Sequence, residues 1–196
     1  MHPQTFIFIG RSGAGKGTQI ELLIKKLKEK TKFDVFHLEP GQGFRNFVKS
    51  DSHTAKLSRM VGDKGELQPS FLSIWVWTDL LVKNMTGNEH IIFDGMPRRV
   101  SEGKVLESAL KFYGHEQPHM VYVDVSRKWA VLRLQGRKRS DDGDQSIIRR
   151  MDWFDSDVAP AVEYMKHNTY YKFSHINGEQ TVEDVHKEIC NKLELF

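Results

Sequence analysis

A glycine-rich segment near the N-terminus combines residue types that bind phosphate. Residues 10–18 read Gly-Arg-Ser-Gly-Ala-Gly-Lys-Gly-Thr and lie between an apolar run and an amphipathic stretch. The glycines let backbone N–H groups turn towards phosphate oxygens, and the start of the following helix adds partial positive charge. The Lys16 amine can reach terminal phosphates, and the Thr18 hydroxyl can face Mg²⁺. Residues 10–18, called the phosphate loop below, therefore predict binding of a nucleoside triphosphate.

A second segment with chemical potential reads Asp-Gly-Met-Pro-Arg at residues 94–98 and follows another apolar run. Asp94, at a strand end beside the phosphate loop, is suited to hold water bound to Mg²⁺. Gly95 permits close approach of a ligand, and Arg98 can bind a phosphate through two N–H groups. The alternative for Asp94-Gly95 is a simple turn.

Arginines are concentrated in a third segment, around the acidic pair Asp141 and Asp142. The cluster consists of Arg133, Arg137, Lys138, Arg139, Arg149 and Arg150. Phosphoryl transfer spreads negative charge over equatorial oxygens, so its catalysis depends on positioning and on cationic stabilisation. Several arginines without a general base fit that reaction. The alternative is a solvated, salt-bridged helix face.

The elements that must position these segments alternate between two patterns. Apolar runs predict buried strands at residues 5–9, 33–38, 90–93, 119–125 and 172–176. Helical spacing predicts helices at residues 15–30, 41–62, 69–85, 101–113, 128–135 and 181–193, with one long helix at 145–168. This alternation predicts a parallel sheet covered by helices, with ligands beyond the carboxyl ends of its strands. Phe71, Trp75 and Trp77 are expected in the core or in a cleft wall.

Composition limits the classes of function. The 196 residues suit one domain, and the net charge of +3, from 29 Lys+Arg and 26 Asp+Glu, is too small to indicate nucleic-acid binding. Apolar runs fall well short of the roughly 20 residues that cross a bilayer. A single cysteine, Cys190, excludes an internal disulfide. We expect a cytoplasmic monomer without nucleic-acid or membrane partners.

The motifs together resemble those of a known family. Gly-Lys-Gly-Thr-Gln at residues 15–19 replaces the more general Gly-Lys-Ser/Thr, and residues 94–98 are similar to an Asp-Gly-Phe-Pro-Arg motif. Both features resemble the nucleoside monophosphate kinases among the P-loop kinases, and most closely the short-lid adenylate kinases. The resemblance implies an α/β fold of three layers, whose parallel five-stranded sheet has the order 2-3-1-4-5 with helices on both faces. It also implies a single domain over residues 1–196, with an acceptor-binding insert at about 41–86 and a minimal lid at about 137–142.

The implied reaction is ATP·Mg + NMP ⇌ ADP·Mg + NDP, with Mg²⁺ as cofactor and AMP as the favoured acceptor. The resemblance implies that five cations stabilise the moving phosphoryl group: Lys16, Arg98, Arg137, Arg139 and Arg150. The residues implied for ATP are Gly13, Ala14, Gly15, Lys16, Gly17, Thr18, Arg133, Arg137 and Gln180. Those implied for the acceptor are Gly41, Arg45, Gln68, Gly95, Arg98, Glu102, Arg139 and Arg150. Thr18 and Asp94 would hold Mg²⁺, partly through water, and Asp141 and Asp142 would orient the arginines. Zinc is not expected, because Lys138 alone separates Arg137 from Arg139 in the lid.

Departures from the family leave the acceptor base open. Residues 39–45 resemble Ser-Thr-Gly-Asp-x-x-Arg, but Pro40 and Gln42 do not match, and Gln68 replaces a usual valine. Glu102 stands where adenylate kinases carry an adenine-reading glutamine. An ionised glutamate only accepts hydrogen bonds, which suits guanine better than adenine. Alternatively, Glu102 pairs with Arg99 and does not meet the base. A GMP kinase, a UMP/CMP kinase and a non-enzymatic nucleotide-binding module remain as alternatives.

Overall fold

The computed structural model describes residues 2–137 and 143–194. Its five-stranded sheet has the order β2-β3-β1-β4-β5, and all neighbouring strands are parallel. The strands are β1 (Thr5–Ile9), β2 (Asp34–Leu38), β3 (Glu89–Asp94), β4 (His119–Asp124) and β5 (Lys172–Asn177). The predicted α/β fold and strand order are therefore confirmed.

Helices cover both faces of this sheet. They are α1 (Lys16–Lys30), α2 (Pro40–Phe47), α3 (His53–Asp63), α4 (Ser70–Asn84), α5 (Val100–Phe112), α6 (Arg127–Arg137), α7 (Asp144–Trp153), α8 (Ala159–Lys166) and α9 (Val182–Lys192). Within the described ranges, no helix has the length and apolarity needed to cross a membrane.

The central strand β1 shows why the sheet is covered on both sides. Its side chains alternate between two buried clusters, because successive residues of a strand point to opposite faces. Phe6 and Phe8 pack with side chains of α1, α6, α7 and α9. Ile7 and Ile9 pack with side chains of α4, α5 and α8. A continuous apolar run thus supplies two cores at once, as is usual for parallel strands.

The sheet register aligns the carboxyl ends of three strands at one edge. Phe8 of β1 lies opposite Asp94 of β3 and opposite Val121 of β4. Leu38, the last residue of β2, lies opposite Phe93. The phosphate loop, the segment after β2 and the segment after β3 therefore leave the sheet side by side.

The long helix predicted at residues 145–168 is interrupted. A five-residue π turn, Phe154–Val158, separates α7 from α8, and the Ala159 N–H donates to the Phe154 carbonyl. Pro160 follows in the first turn of α8. Proline has no N–H to donate to a carbonyl one turn earlier, so a regular α-helical ladder cannot continue through this point. Helical periodicity in the sequence does not report such a local widening.

Helix α4 belongs to the layer that covers the sheet. It packs against β2 and α5, and Trp77 and Leu81 are completely or almost completely buried. The prediction of core or cleft positions for the other aromatic residues of α4 was wrong, because Phe71 is 69% exposed and Trp75 is 47% exposed. Both lie on the face of α4 that is turned away from the sheet.

Candidate functional site

A cleft of about 1170 Å³ opens beyond the carboxyl ends of the strands. The phosphate loop, residues 94–98, the α2–α3 region, α6, α7 and the loop after β5 all contribute to its walls. It brings together nearly all of the described residues that the sequence singled out. These are Gly13, Ala14, Gly15, Lys16, Gly17, Thr18, Gly41, Arg45, Gln68, Asp94, Gly95, Arg98, Arg133, Arg137, Arg150 and Gln180.

The phosphate loop has the backbone geometry of an anion cradle. Gly13 and Gly15 have φ angles of 87° and 86°, in the left-handed region that favours glycine. A side chain at Gly13 would also place its Cβ 2.7 Å from the Ala130 carbonyl oxygen. Gly15 is the N-cap residue of α1, so the unpaired N–H groups of that helix face the cleft.

The Lys16 amine lies at the base of this cradle and is held by the loop itself. Its Nζ donates to the carbonyl oxygens of Gly10 at 2.9 Å and Arg11 at 3.0 Å. Burial lowers the pKa of Lys16 to about 8; the Asp94 carboxylate opposes this shift, whereas the charges of Arg98 and Arg137 add to it. An anionic ligand would compensate this concentration of positive charge.

Asp94 supplies an ionised carboxylate at the end of β3. Burial alone would raise its pKa, but the neighbouring His37 imidazole and the nearby charges of Lys16 and Arg98 outweigh burial, and the pKa lies below its ordinary value. His37 Nε2 is 3.7 Å from Asp94 Oδ2. The sequence interpretation missed His37, although its place near the end of β2 and next to β3 was available as a signal.

The oxygen donors fit Mg²⁺. A carboxylate and a hydroxyl, from Asp94 and Thr18, both line the cleft, and Mg²⁺ prefers such hard oxygen ligands. No group of three or more His, Cys, Asp or Glu side chains suited to a metal occurs in residues 2–137 and 143–194. A Mg²⁺ ion that also binds nucleotide phosphates and water does not require such a group.

Arg98 is held by its own turn and by an aromatic ring. Its Nε donates to the Gly95 carbonyl at 3.0 Å, and its guanidinium lies 5.4 Å from the centre of the Trp153 ring. Burial lowers the pKa of Arg98, and the charges of Glu102 and Asp94 oppose that shift. The arginine remains a cation, since a guanidinium does not lose its proton in proteins.

Trp153 is a residue of the cleft that is absent from the residues implied by the sequence motifs. Its ring lines the cleft, and its Nε1 donates to the Gly65 carbonyl at 3.2 Å. Trp153 lies three residues after Arg150 in α7, so both side chains share one helix face. That spacing was the available signal.

Glu102 does not line the cleft, in contrast to its predicted contact with the acceptor. It is 1% exposed. Its Oε2 accepts the backbone N–H of Arg98 at 2.9 Å, and its Oε1 lies 3.8 Å from Arg99 Nη1. The start of α5 explains this position, because unpaired N–H groups and the helix dipole favour a carboxylate there. The geometry matches the alternative in which Glu102 pairs with Arg99.

Two residues predicted to serve the acceptor are already engaged with neighbours. Arg45 Nη2 lies 2.6 Å from Glu39 Oε1. The Gln68 amide forms two hydrogen bonds with Ser58, at 3.0 Å to its hydroxyl and at 2.9 Å to its carbonyl. The Gln68 backbone carbonyl accepts from Arg99 at 2.8 Å.

Two of the residues implied for ATP, Arg133 and Gln180, line the cleft and also contact neighbours of their own. Arg133, in α6, places its guanidinium 5.4 Å from the centre of the Trp129 ring. Gln180 donates to the Asn177 carbonyl at 2.9 Å and to Glu188 Oε2 at 2.8 Å. Arg139, Asp141 and Asp142, and with them most of the predicted lid, lie outside the described residues.

Comparison with known proteins identifies relatives over nearly the whole chain. A sequence model of the family described as adenylate kinase matches residues 8–170. An adenylate kinase of Flavobacterium psychrophilum is 31% identical over 198 residues, covering 95% of this chain and 98% of the relative. An adenylate kinase of Bacteroides fragilis is 28% identical over 192 residues, covering 96% and 97%. Adenylate kinase 1 of a Nostoc species is 31% identical over 183 residues, covering 93% and 95%.

Proposed function

Because the chain belongs to the adenylate kinase family and is a nucleoside monophosphate kinase, we propose that it transfers the γ-phosphoryl group of ATP to AMP. The main support for this proposal is that the cations of the cleft lie close enough together to lower one another's pKa. The charges of Arg98 and Arg137 lower the pKa of Lys16, and the charge of Arg150 lowers that of Arg98. Four cations concentrated in this way suit a transition state whose charge lies on phosphoryl oxygens.

On the donor side, the phosphate loop would bind the triphosphate. Backbone N–H groups around Gly13 and Gly15 would surround the β-phosphate, and Lys16 would exchange its two carbonyl partners for β- and γ-phosphate oxygens. Arg133, which lines the cleft from α6, would lie against the adenine. Arg137, at the end of α6, would act on the γ-phosphate together with Lys16, because its charge reaches the Lys16 amine.

On the acceptor side, Arg98 and Arg45 would bind the phosphate of the monophosphate. Gly41 would lie next to this phosphate, because the nearest atoms to a Cβ built at Gly41 are Arg45 Nη1 at 3.4 Å and Glu39 Oε1 at 3.7 Å. Gln68 would line the base pocket through its backbone and side-chain stem, since its amide is paired with Ser58.

Mg²⁺ would be held by Asp94 and Thr18, which supply a carboxylate and a hydroxyl to the wall of the cleft. When bound, the ion neutralises charge on the β- and γ-phosphate oxygens. Arg98 and Arg150 would orient the acceptor phosphate for in-line attack. The attacking phosphate oxygen is already ionised at neutral pH, so no protein base is needed. We also propose that the protein acts as a monomer.

Other monophosphates remain candidates for the acceptor, and the chief argument for guanine is weakened. That argument depended on contact between Glu102 and the base, and Glu102 is 1% exposed beneath Arg98 and Arg99. AMP is therefore the acceptor that the family and the site support best.

The direct test is a turnover assay with ATP·Mg and AMP, GMP, UMP or CMP, which measures formation of ADP and the nucleoside diphosphate. We expect AMP to give the highest kcat/KM. Lys16→Ala should reduce turnover by a factor on the order of 100 or more, because it removes a cation from the transferred phosphate. Lys25→Ala, an exposed change on the same helix, is the matched control and should retain activity. Near-normal turnover of Lys16→Ala would contradict the assignment of the phosphate loop.

A further inference from the structure

On the acceptor side of the cleft, Arg45 forms an ion pair with Glu39. Arg45 is the arginine proposed to bind the acceptor phosphate. Arg45 Nη2 donates to Glu39 Oε1 at 2.6 Å and to Gln42 Oε1 at 2.9 Å. Arg45 Nε donates to the same Gln42 oxygen at 3.1 Å. One whole edge of the guanidinium is thus engaged by oxygens of α2 and its N-cap residue.

The ion pair lies in the cleft and not on a remote surface. Glu39, Gly41 and Arg45 all line the cleft together with Arg98. Gly41 lies beneath the pair, because a Cβ at that position would lie 3.4 Å from Arg45 Nη1 and 3.7 Å from Glu39 Oε1. The Glu39 carboxylate therefore stands in the space beside Arg45 that an acceptor phosphate would enter.

A carboxylate and a phosphate compete for the same donors. The planar fork of arginine matches both anions through two parallel N–H···O bonds. From this geometry we propose that Glu39 is an internal competitor of the acceptor phosphate, and that it raises the KM for the monophosphate by occupying Arg45. The inference rests on the proposed function, in which Arg45 binds that phosphate.

The pair is exposed enough to be displaced. The side chains of Arg45 and Glu39 are 48% and 37% exposed, and exposed pairs are weak because water screens them. A phosphate with a charge near −2 attracts the guanidinium more strongly than a carboxylate with a charge of −1. Glu39 precedes α2, so its carboxylate can rotate towards solvent when phosphate replaces it.

A different role for Glu39 predicts an effect of opposite sign. If Glu39 served to hold Arg45 in the orientation that binds phosphate, loss of the carboxylate would weaken the acceptor. Competition predicts that the same change strengthens it. The direction of the effect therefore decides between the two roles.

The experiment measures AMP binding by titration calorimetry without ATP, and the KM values for AMP and ATP by turnover. In Glu39→Gln we expect the Kd and KM for AMP to fall by about three- to fivefold, the range set by a weak exposed ion pair, while the KM for ATP is unchanged. Glu39→Ser should behave in the same way, and serine is a good N-cap residue for α2. Asp79→Asn, which removes the carboxylate of the Asp79–Lys83 pair on α4, is the matched control and should leave AMP binding unchanged.

A double-mutant cycle tests whether the effect acts through Arg45. In the Arg45→Ala background, Glu39→Gln should change the Kd for AMP by less than a factor of about two. An unchanged or weaker AMP affinity in both Glu39 variants would overturn the inference, and so would a gain that persists without Arg45. If the gain is found but no monophosphate is phosphorylated, the inference stands and the proposed function fails. If the wild type binds none of the four monophosphates, both fail.

Discussion

At the scale of single residues, the charged side chains of the cleft shift one another's pKa. Burial removes water from the Lys16 amine and lowers its pKa to about 8. The Asp94 carboxylate raises this pKa, but the charges of Arg98 and Arg137 offset part of that effect. Asp94 in turn keeps its pKa low against burial through His37 and Lys16. The positive charges of the site therefore repel one another, and an anionic ligand would relieve that repulsion on binding.

The lowered pKa of Lys16 predicts a pH dependence of ATP binding. Bound phosphates favour the charged amine, so the complex keeps the proton that the free protein loses above about pH 8. The Kd for ATP should be steady between about pH 7 and 7.5, where phosphate ionisation near pH 6 is largely complete, and should weaken by up to tenfold per pH unit above 8. Calorimetry across this range measures it.

Lys16→Arg is the control for this titration. The guanidinium stays protonated, so any affinity that the variant retains should vary little between pH 7 and about 9. A flat profile for the wild-type protein would contradict the lowered pKa, and an equally steep profile for the variant would assign the titration to another group.

Glu102 gives a prediction that separates a base-reading residue from a structural one. Since its carboxylate lies beneath Arg98 and Arg99 and outside the cleft, Glu102→Gln should leave the ratio of kcat/KM for AMP and GMP within a factor of about two. A base-reading glutamate would instead change the ratio by a factor on the order of 10, the effect of one hydrogen bond to a charged group. The acceptor assay on the purified variant decides between them.

At the scale of elements, Arg99 connects three parts of the chain. Its Nη1 donates to the Gln68 carbonyl at 2.8 Å, and its Nε donates to Asp157 Oδ1 of the π turn at 3.0 Å. The segment before α4 is also held by α7, because Arg149 donates to the Lys64 carbonyl and Trp153 donates to that of Gly65. Arg99 thus links the end of the α2–α3 region to the helix layer of the sheet.

Loss of the Arg99 contacts should increase the mobility of the segment before α4 and weaken acceptor binding, without an effect on ATP binding. In Arg99→Ala we expect faster hydrogen exchange in residues 62–69 and a several-fold higher KM for AMP, because the Gln68 carbonyl and the Asp157 carboxylate both lose a donor. The KM for ATP should be unchanged. Lys104→Ala, an exposed change on α5, serves as control, and equal exchange in the two variants would remove Arg99 from this role.

At the scale of the whole molecule, the sheet and its helices form a well-packed base, and residues 40–69 form a smaller part that is less buried. Helix α4 is held by Trp77 and Leu81, which are buried against the sheet, whereas α2 and α3 bury few large side chains. We therefore expect movement of residues 40–69 and not of the entire predicted insert at about 41–86. Closure of this part would exclude water from the phosphoryl group.

Two label pairs test which part moves. With the buried Cys190 replaced by alanine, spin labels at Lys56→Cys in α3 and Lys187→Cys in α9 should approach one another when a two-adenosine, five-phosphate analogue binds. Labels at Val82→Cys in α4 and Lys187→Cys should keep their distance. Unchanged distances for both pairs would indicate a cleft that is already closed, and equal shortening would indicate that α4 moves as well.

Much of the fold follows from local sequence. The run at residues 5–9, the glycines of the phosphate loop and the amphipathic pattern of α1 each act over a few neighbours, so they can be interpreted one at a time. The alternation of strands and helices then restricts the topology to a parallel sheet whose carboxyl edge carries the motifs. The interruption of the long helix before Pro160 was not predicted, because a π turn changes hydrogen bonding without changing the spacing of apolar residues.

The sequence by itself determined which chemical groups the protein possesses and on which edge of the sheet they gather. Only the tertiary structure decided which groups face the cleft and which are already engaged. Trp153 faces it beside Arg98, Glu102 is buried under the start of α5, and Arg45 is held by Glu39. The physical reason is range: loop and helix signals act within a few residues, whereas the partner of a buried carboxylate or an arginine is set by packing between distant elements and by the need to satisfy charges there.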